Sequence, residues 1–247
     1  MINPMELTGK HVIITGGSSG IGRQCAIQAS QLGARVTMIA RDEKRLQEAL
    51  HLMEYPEKHA CYSFDLSKTD EIDKLIKMVI SQRGRVDGLC HSAGIATLRM
   101  IKQTNPPFVE KMLRIHALAF IELVRCLSLK DNLNDGASLV GISSLSAVNG
   151  EAAQTAYAAA KACMNGFLHP ASLELAPRKI RINTVAYGIV LTPMFYTFVE
   201  NGGNIAVTDK QMLGKIDVKS AANVVTFLLS DACKYITGSV LPVYAGY

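Results

Sequence analysis

Short apolar runs alternate with helix-forming stretches along the whole chain, and this alternation limits the fold more than any other feature. Seven runs have strand length and span residues 11–14, 35–39, 60–64, 86–91, 138–143, 181–187 and 239–243. Apolar strands that are separated by helices are typical of a parallel sheet with helices on both faces. With 247 residues, 49% of them hydrophobic, the chain can bury a large core. The sequence therefore predicts an α/β fold with about seven strands and a single domain over residues 1–247.

A glycine-rich turn follows the first apolar run. In HVIITGGSSGIGRQCAIQAS the run gives way to glycines at 16, 17, 20 and 22 and then to a helical pattern. Such a turn brings the backbone close to a pyrophosphate, and the free N–H groups at the helix N-terminus stabilise its charge. The spacing differs from the GxGxxG fingerprint. By itself the turn is only weak evidence for a nucleotide site.

A second motif, TAYAAAKACMNGF, places Tyr157 and Lys161 four residues apart in an Ala-rich stretch, with Ser144 upstream. Residues at i and i+4 lie on the same face of a helix. A cation beside a phenol lowers its pKa from about 10 and makes the phenol a better acid and base at neutral pH. We therefore expect Lys161 to lower the pKa of Tyr157, and the Ser144 hydroxyl to bond the same substrate oxygen.

Together, TGxxxGxG, Ser144 and YxxxK in this order resemble the short-chain dehydrogenase/reductase family. The resemblance continues through DGLCHSAG at 87–94, RINTVAYGIVLTPM at 181–194 and the closing YITGSVLPVYAGY, and so covers nearly the whole chain. It implies a Rossmann-type doubly wound sheet. Departures from the family occur at His91 and Ser92, where two Asn are common, at Tyr187, where Pro is common, and at Tyr244 and Ala245, which replace Asp-Gly.

The resemblance also implies the roles of particular residues. In the reaction, Tyr157 protonates the substrate oxygen, Ser144 holds that oxygen, and Lys161 tunes Tyr157 and bonds the nicotinamide ribose. The expected cofactor contacts are Gly16, Ser18, Ser19, Gly20, Ile21, Gly22, Arg41, Asp65, Leu66, Ser92, Ala93, Gly94, Tyr157, Lys161, Gly188 and Thr192.

His116 matches a position where many family members carry an Asn that holds a water linked to the lysine. Imidazole can donate and accept hydrogen bonds, so His116 either takes part in this relay or is a buried packing residue. In the relay it would titrate near its reference pKa of about 6.5, shifted by the charge of the lysine. The other five histidines lack metal-ligand spacing, and no metal is expected.

The choice of cofactor depends on the end of the second strand, GARVTMIARDEKR. An acidic residue there would bond the adenosine ribose and repel a 2′-phosphate, but Ala40 and Arg41 occupy the position. A guanidinium pairs well with phosphate, which favours NADP(H) over NAD(H). NAD remains an alternative cofactor if Asp42, and not Ala40, faces the ribose. Asp65 either bonds the adenine amine, as the resemblance implies, or caps the following helix.

The substrate is expected to be a small ketone or secondary alcohol. The ITG ending and the compact length are most similar to 3-oxoacyl-carrier-protein reductases, which makes a 3-oxoacyl thioester one candidate. A sugar or polyol dehydrogenase and a catalytically silent nucleotide-binding regulator remain alternatives. The segment 192–215 is expected to form a lid over the substrate.

Charge and composition limit location and partners. The net charge of +5 is modest and its Lys and Arg residues are scattered, so no nucleic-acid partner is expected. The six cysteines lack CxxC spacing and are expected to be reduced. The N-terminus lacks a signal-peptide pattern and no apolar run reaches membrane-spanning length, which predicts a cytoplasmic protein without a membrane partner. The resemblance implies a homotetramer, or a homodimer, through the helices 108–129 and 155–175 and the last strand.

Overall fold

The structure, a computed structural model, describes residues 3–203 and 205–247. Met1, Ile2 and Asn204 lie outside the described residues, and Asn204 falls within the predicted lid. Seven strands form one parallel sheet in the order β3-β2-β1-β4-β5-β6-β7. They are β1 His11–Thr15, β2 Arg35–Ala40, β3 Ala60–Ser63, β4 Val86–His91, β5 Leu133–Ser144, β6 Arg181–Tyr187 and β7 Val240–Val243. The predicted doubly wound α/β fold is confirmed.

The helices connect these strands. They are α1 Gly20–Gln31, α2 Glu43–Leu50, α3 Ile72–Arg83, α4 Pro106–Leu113, α5 Ala119–Ser128, α6 Ser146–Asn149, α7 Thr155–Leu175, α8 Pro193–Glu200 and α9 Val218–Leu229. The helix expected over 108–129 is interrupted, because a π-helical turn at Arg114–Leu118 separates α4 from α5. π-turns of this kind are frequent at functional sites. In the described residues no helix is both long enough and apolar enough to cross a membrane.

Side chains from alternate positions of the strands enter two cores. Val12 and Ile14 pack with α1, α2 and α9 on one face, whereas Ile13 packs with α3, α5 and α7 on the other. This follows from the alternation of Cβ directions along a strand. It explains why the strands are apolar at successive positions.

The site is positioned by the strand order. The chain leaves β1 for β2 on one side of the sheet, and after β3 it returns to β4 on the other side of β1. In open parallel sheets, ligands bind beyond the carboxyl ends of the strands at such a reversal. The glycine turn after β1, the segment after β4 and Ser144 at the end of β5 all lie at this rim.

Candidate active site

The turn between β1 and α1 is so close to its neighbours that only glycine fits at two positions. Gly16 has a φ of +69°, and a Cβ there would lie 2.8 Å from the backbone nitrogen of Ala93. A Cβ on Gly22 would lie 2.4 Å from the carbonyl oxygen of Gly16. At the N-cap of α1, the side chain of Ser19 makes no capping bond within the described ranges. The first N–H groups of the helix are therefore available to a phosphate.

A cleft of about 700 Å³ opens beside this turn, a volume typical of ligand sites. All four predicted catalytic residues line it, namely Ser144, Tyr157, Lys161 and His116. The remaining predicted cofactor residues in its wall are Gly16, Ser18, Ser19, Gly20, Ile21, Arg41, Leu66, Ser92, Ala93, Gly94, Gly188 and Thr192. Gly22 lies beneath the turn instead. Thr192 also caps α8 by accepting from the N–H of Phe195 at 3.2 Å.

Asp65 is the other predicted cofactor residue that the structure does not place in the wall of the cleft. It lies in a shallow neighbouring depression with Arg41 and Lys68. Its carboxylate accepts from the backbone N–H of Ser67 at 3.0 Å and from the Ser67 hydroxyl at 2.8 Å. Burial favours the neutral acid, but these bonds and the nearby cations lower the pKa of Asp65. The carboxylate thus closes a local turn, and it neither caps a helix nor faces the cleft.

The end of β2 presents two cations to the cleft. Arg41 and Arg45 both line it, together with Ala40 and Asp42. The Asp42 carboxylate caps α2 by accepting from the N–H of Arg45 at 3.0 Å, and its second oxygen lies 3.4 Å from the Arg45 guanidinium. Asp42 is therefore engaged by its own helix. Sequence analysis missed Arg45, although recognition of Asp42 as an N-cap would have placed Arg45 on the first turn of α2.

The segment after β4 is tied to the end of β1 through a threonine and a histidine. The Thr15 hydroxyl lies 2.9 Å from His91 Nδ1 and accepts from the N–H of Ala93 at 3.2 Å. Burial, with the charge of Lys161, lowers the pKa of His91 to about 3. His91 is thus a neutral structural residue that fixes the Thr15 hydroxyl, and Thr15 in turn holds the backbone of Ala93 close to Gly16.

Ser144 and Tyr157 approach each other at the centre of the cleft. Ser144 is half-buried and its Oγ accepts from the backbone N–H of Ser146 at 3.1 Å, so its proton is available for donation. The neighbouring Ser143 is buried, and its hydroxyl has no partner in the part of the chain that the structure describes. Burial raises the pKa of Tyr157, and a hydrogen bond with Ser144 opposes that rise.

The sequence analysis expected Lys161 to lower the pKa of Tyr157, but in the structure Lys161 does not have this effect. Its Nζ donates to the carbonyl oxygen of Ile142 at 2.6 Å and lies 5.7 Å from the centroid of the Tyr157 ring. Burial lowers the pKa of Lys161 from 10.5 to about 7. Because the amine is desolvated, it is only partly charged near neutral pH, and its attraction for a phenolate is correspondingly weaker.

His116 lies in the π-turn with its ring edge toward the Tyr157 ring, at a centroid separation of 5.2 Å and an angle of 87°. Nε2 lies 2.9 Å from the carbonyl oxygen of Ile95 and 3.3 Å from the backbone nitrogen of Ile95, and the shorter contact favours the tautomer with the proton on Nε2. Nδ1 is buried and has no hydrogen-bond partner among the described residues. Burial, aided by the charge of Lys161, lowers the pKa of His116 well below 6.5. The expected titration near 6.5 is therefore wrong: the ring stays neutral and offers a lone pair.

Residues at the outer end of the cleft were also missed by sequence analysis. Glu151, Gln154 and Tyr247 line this end. The Glu151 carboxylate accepts from the Tyr247 hydroxyl at 2.6 Å and from Lys210 at 2.9 Å. No motif marks these residues, because they come from three distant segments.

The site therefore combines an anion-binding helix N-terminus with two hydroxyls and a buried amine. A ligand with a phosphate at the glycine turn would lie in the same cleft as Tyr157. A carbonyl oxygen placed between Ser144 and Tyr157 would meet two hydroxyl donors. This combination suits reduction of a carbonyl by a nucleotide cofactor.

Comparison with known proteins agrees with this geometry. The sequence model of a family described as enoyl-(acyl carrier protein) reductase matches residues 16–247. A 3-oxoacyl-[acyl-carrier-protein] reductase of Thermotoga maritima is 30% identical over 98% of this chain and 99% of its own. A short-chain dehydrogenase/reductase of Pyricularia oryzae is 30% identical over 98% of this chain and 93% of its own. A blue fluorescent protein from a metagenomic library, solved in complex with NADPH, is 25% identical with a TM-score of 0.88, covering 98% of both chains.

The fold and the site thus define a nicotinamide-dependent oxidoreductase with a doubly wound sheet. The chain belongs to the short-chain dehydrogenase/reductase family.

Proposed function

We propose that this protein reduces a ketone, or oxidises the corresponding secondary alcohol, with NADP(H) as its cofactor, and that residues 1–247 act as one catalytic domain. The observation that carries the proposal is the convergence of Ser144, Tyr157 and Lys161 on one cleft beside the glycine turn. A regulator that had lost turnover would not need this set of residues.

The chemistry that a bound nicotinamide supplies is hydride transfer. The chain supplies the rest. Ser144 donates to the substrate oxygen, since the N–H of Ser146 already occupies one lone pair of its Oγ. Tyr157 donates the proton to the same oxygen, and Lys161, which lines the same cleft, holds the nicotinamide ribose. The neutral His116 ring packs against Tyr157 and offers Nδ1 as an acceptor for a water.

The preference for NADP is supported by charge at the end of β2. Ala40 leaves room beside Arg41 and Arg45, and two guanidinium groups can pair with a 2′-phosphate. Asp42 is engaged by its helix cap. Asp65 accepts from the Ser67 hydroxyl and lies outside the wall of the cleft. The NADPH held by the metagenomic relative is consistent with this choice.

Apolar side chains in the wall of the cleft support an acyl substrate. Its wall includes the apolar residues Ile95, Leu98, Leu145, Met194 and Phe198. These side chains suit methylene groups, and the polar groups of Asn149, Glu151 and Gln154 lie in the same wall. A 3-oxoacyl thioester, the substrate class in the name of the Thermotoga relative, fits this lining.

Purified protein assayed with NADPH and NADH against 3-oxoacyl esters, simple ketones and polyols would test the proposal through the change in nicotinamide absorbance. We expect NADPH-dependent reduction of the 3-oxoacyl esters and loss of that activity in Tyr157→Phe. Turnover of polyols alone would favour the sugar dehydrogenase alternative. Binding of NADPH without turnover of any compound would favour the regulator.

We further propose a homotetramer in the cytoplasm. Exposed leucines at 118, 129 and 173 lie on or beside α5 and α7, where the predicted interface helices run, and apolar faces of this kind suit isologous contacts. All six cysteines are free, which is compatible with a reducing compartment. Light scattering that gives a monomer mass across working concentrations would refute the tetramer.

A further inference from the structure

The side-chain amide of Gln154 has one orientation only. Its Oε1 faces the Ser146 hydroxyl at 2.8 Å and the backbone N–H of Glu151 at 3.3 Å. The backbone N–H can only donate, so the amide atom that faces it must be the oxygen. The Nε2 group consequently points away from both partners.

The Nε2 group is a donor without an acceptor in the described part of the chain, and it belongs to a residue that lines the cleft. Gln154 is half-buried and lines the same cleft as Ser144 and Tyr157. Across the described ranges, no acceptor for Nε2 is found in the protein. The amide oxygen of Gln154 already accepts two hydrogen bonds, whereas its N–H groups donate none to the described residues. At a substrate site, such N–H groups can donate to an oxygen of the ligand.

The donor is also fixed relative to the reacting groups. Gln154 immediately precedes α7, which carries Tyr157. Its oxygen holds Ser146, whose backbone N–H in turn holds the Ser144 hydroxyl. The amide and the two hydroxyls that bind the ketone oxygen therefore form one braced unit. Such a unit suits a substrate with two oxygen acceptors at a fixed separation.

We propose that Gln154 donates a hydrogen bond to a second carbonyl oxygen of the substrate and so selects β-dicarbonyl compounds, such as 3-oxoacyl esters and thioesters, over simple ketones. This inference rests on the proposed ketoreductase function. It assigns to Gln154 the recognition of the ester or thioester carbonyl, while Ser144 and Tyr157 bind the ketone oxygen.

The substitution Gln154→Glu removes the Nε2 donor and keeps the side-chain oxygen. A carboxylate retains an oxygen for Ser146 and for the N–H of Glu151, so the brace is kept, but the N–H pair is replaced by a second oxygen. Two substrates form a matched pair: ethyl acetoacetate has the second carbonyl, and 4-ethoxybutan-2-one replaces that carbonyl by a methylene. The parent protein and Gln154→Glu are each assayed with NADPH and with both substrates, and kcat and KM are measured separately.

We expect Gln154→Glu to reduce kcat/KM for ethyl acetoacetate about tenfold more than for 4-ethoxybutan-2-one, which is the factor that one ordinary hydrogen bond contributes. The ratio of the two losses cancels the intrinsic reactivity of each ketone. Equal losses for the two substrates, or no loss for either, would overturn the inference and leave the ketoreductase function intact. If the parent protein reduced neither compound nor any other ketone, the proposed function itself would fall, and the inference with it.

Discussion

Burial of Lys161 should make the free protein less stable at low pH, and replacing this lysine should relieve the cost. The pKa of Lys161 is lowered from 10.5 to about 7 because the amine is desolvated. At roughly 1.36 kcal/mol per pH unit, this lowering corresponds to about 5 kcal/mol against the charged form in the folded state.

The sign follows from proton binding. Below pH 7 the lysine is charged in both the folded and the unfolded chain, so the whole cost of burying the charge applies. As the pH rises from about 7 toward 10.5, the folded protein has lost the proton while the unfolded chain retains it, and the cost declines. The cost is about 5 kcal/mol at pH 6 and about 2 kcal/mol at pH 9.

Lys161→Met keeps a long side chain but removes the charge. It also removes the hydrogen bond to the Ile142 carbonyl, at a cost of about 1 kcal/mol. The free energy of unfolding should therefore increase by about 4 kcal/mol at pH 6 and by about 1 kcal/mol at pH 9. Activity should be lost, since the amine that holds the ribose is absent.

Equilibrium unfolding in urea, at fixed protein concentration and without cofactor, measures both differences. Lys130→Met, at an exposed lysine, is the matched control and should leave the free energy of unfolding nearly unchanged at both pH values. A Lys161→Met protein that is less stable than its parent at pH 6, or a difference that does not vary with pH, would refute the reasoning.

Three further predictions concern other parts of the cleft. Tyr157→Phe keeps the ring packing and removes the proton donor, so kcat should fall by at least about 10²-fold with NADPH binding nearly unchanged in titrations; a parent-like rate would exclude Tyr157 as the acid. Arg41→Ala should weaken binding of NADPH more than that of NADH, and Arg45→Ala should do the same if both guanidinium groups meet the phosphate; equal losses for the two cofactors would exclude the residue tested. His116→Asn should remain active because the amide also accepts and donates hydrogen bonds, whereas His116→Leu should slow turnover. Because the ring stays neutral, the pH–rate profile of the parent protein should have no transition near pH 6.5 that is lost in His116→Asn. A His116→Leu protein with the parent rate would make His116 a packing residue.

The sequence by itself determined the fold and identified the glycine turn, Ser144, Tyr157 and Lys161, which the structure brings to one cleft. Seven apolar runs with helices between them are compatible with few architectures other than a covered parallel sheet, and residues that end such strands must meet at one rim. The glycine turn was also predicted from the sequence. Gly16 has a positive φ and lies close to Ala93, so a residue with a side chain does not fit there. Tyr157 and Lys161 share a helix, and so their proximity follows from helical spacing alone.

Only the tertiary structure decided how these groups are charged and what surrounds them. The pKa values of Lys161 and His116 fall because other segments remove water from them, and no local pattern records that burial. Glu151, Lys210 and Tyr247 meet only after the chain has folded. Hydrogen-bond partners and desolvation depend on which distant segments become neighbours, and that is set by packing in three dimensions.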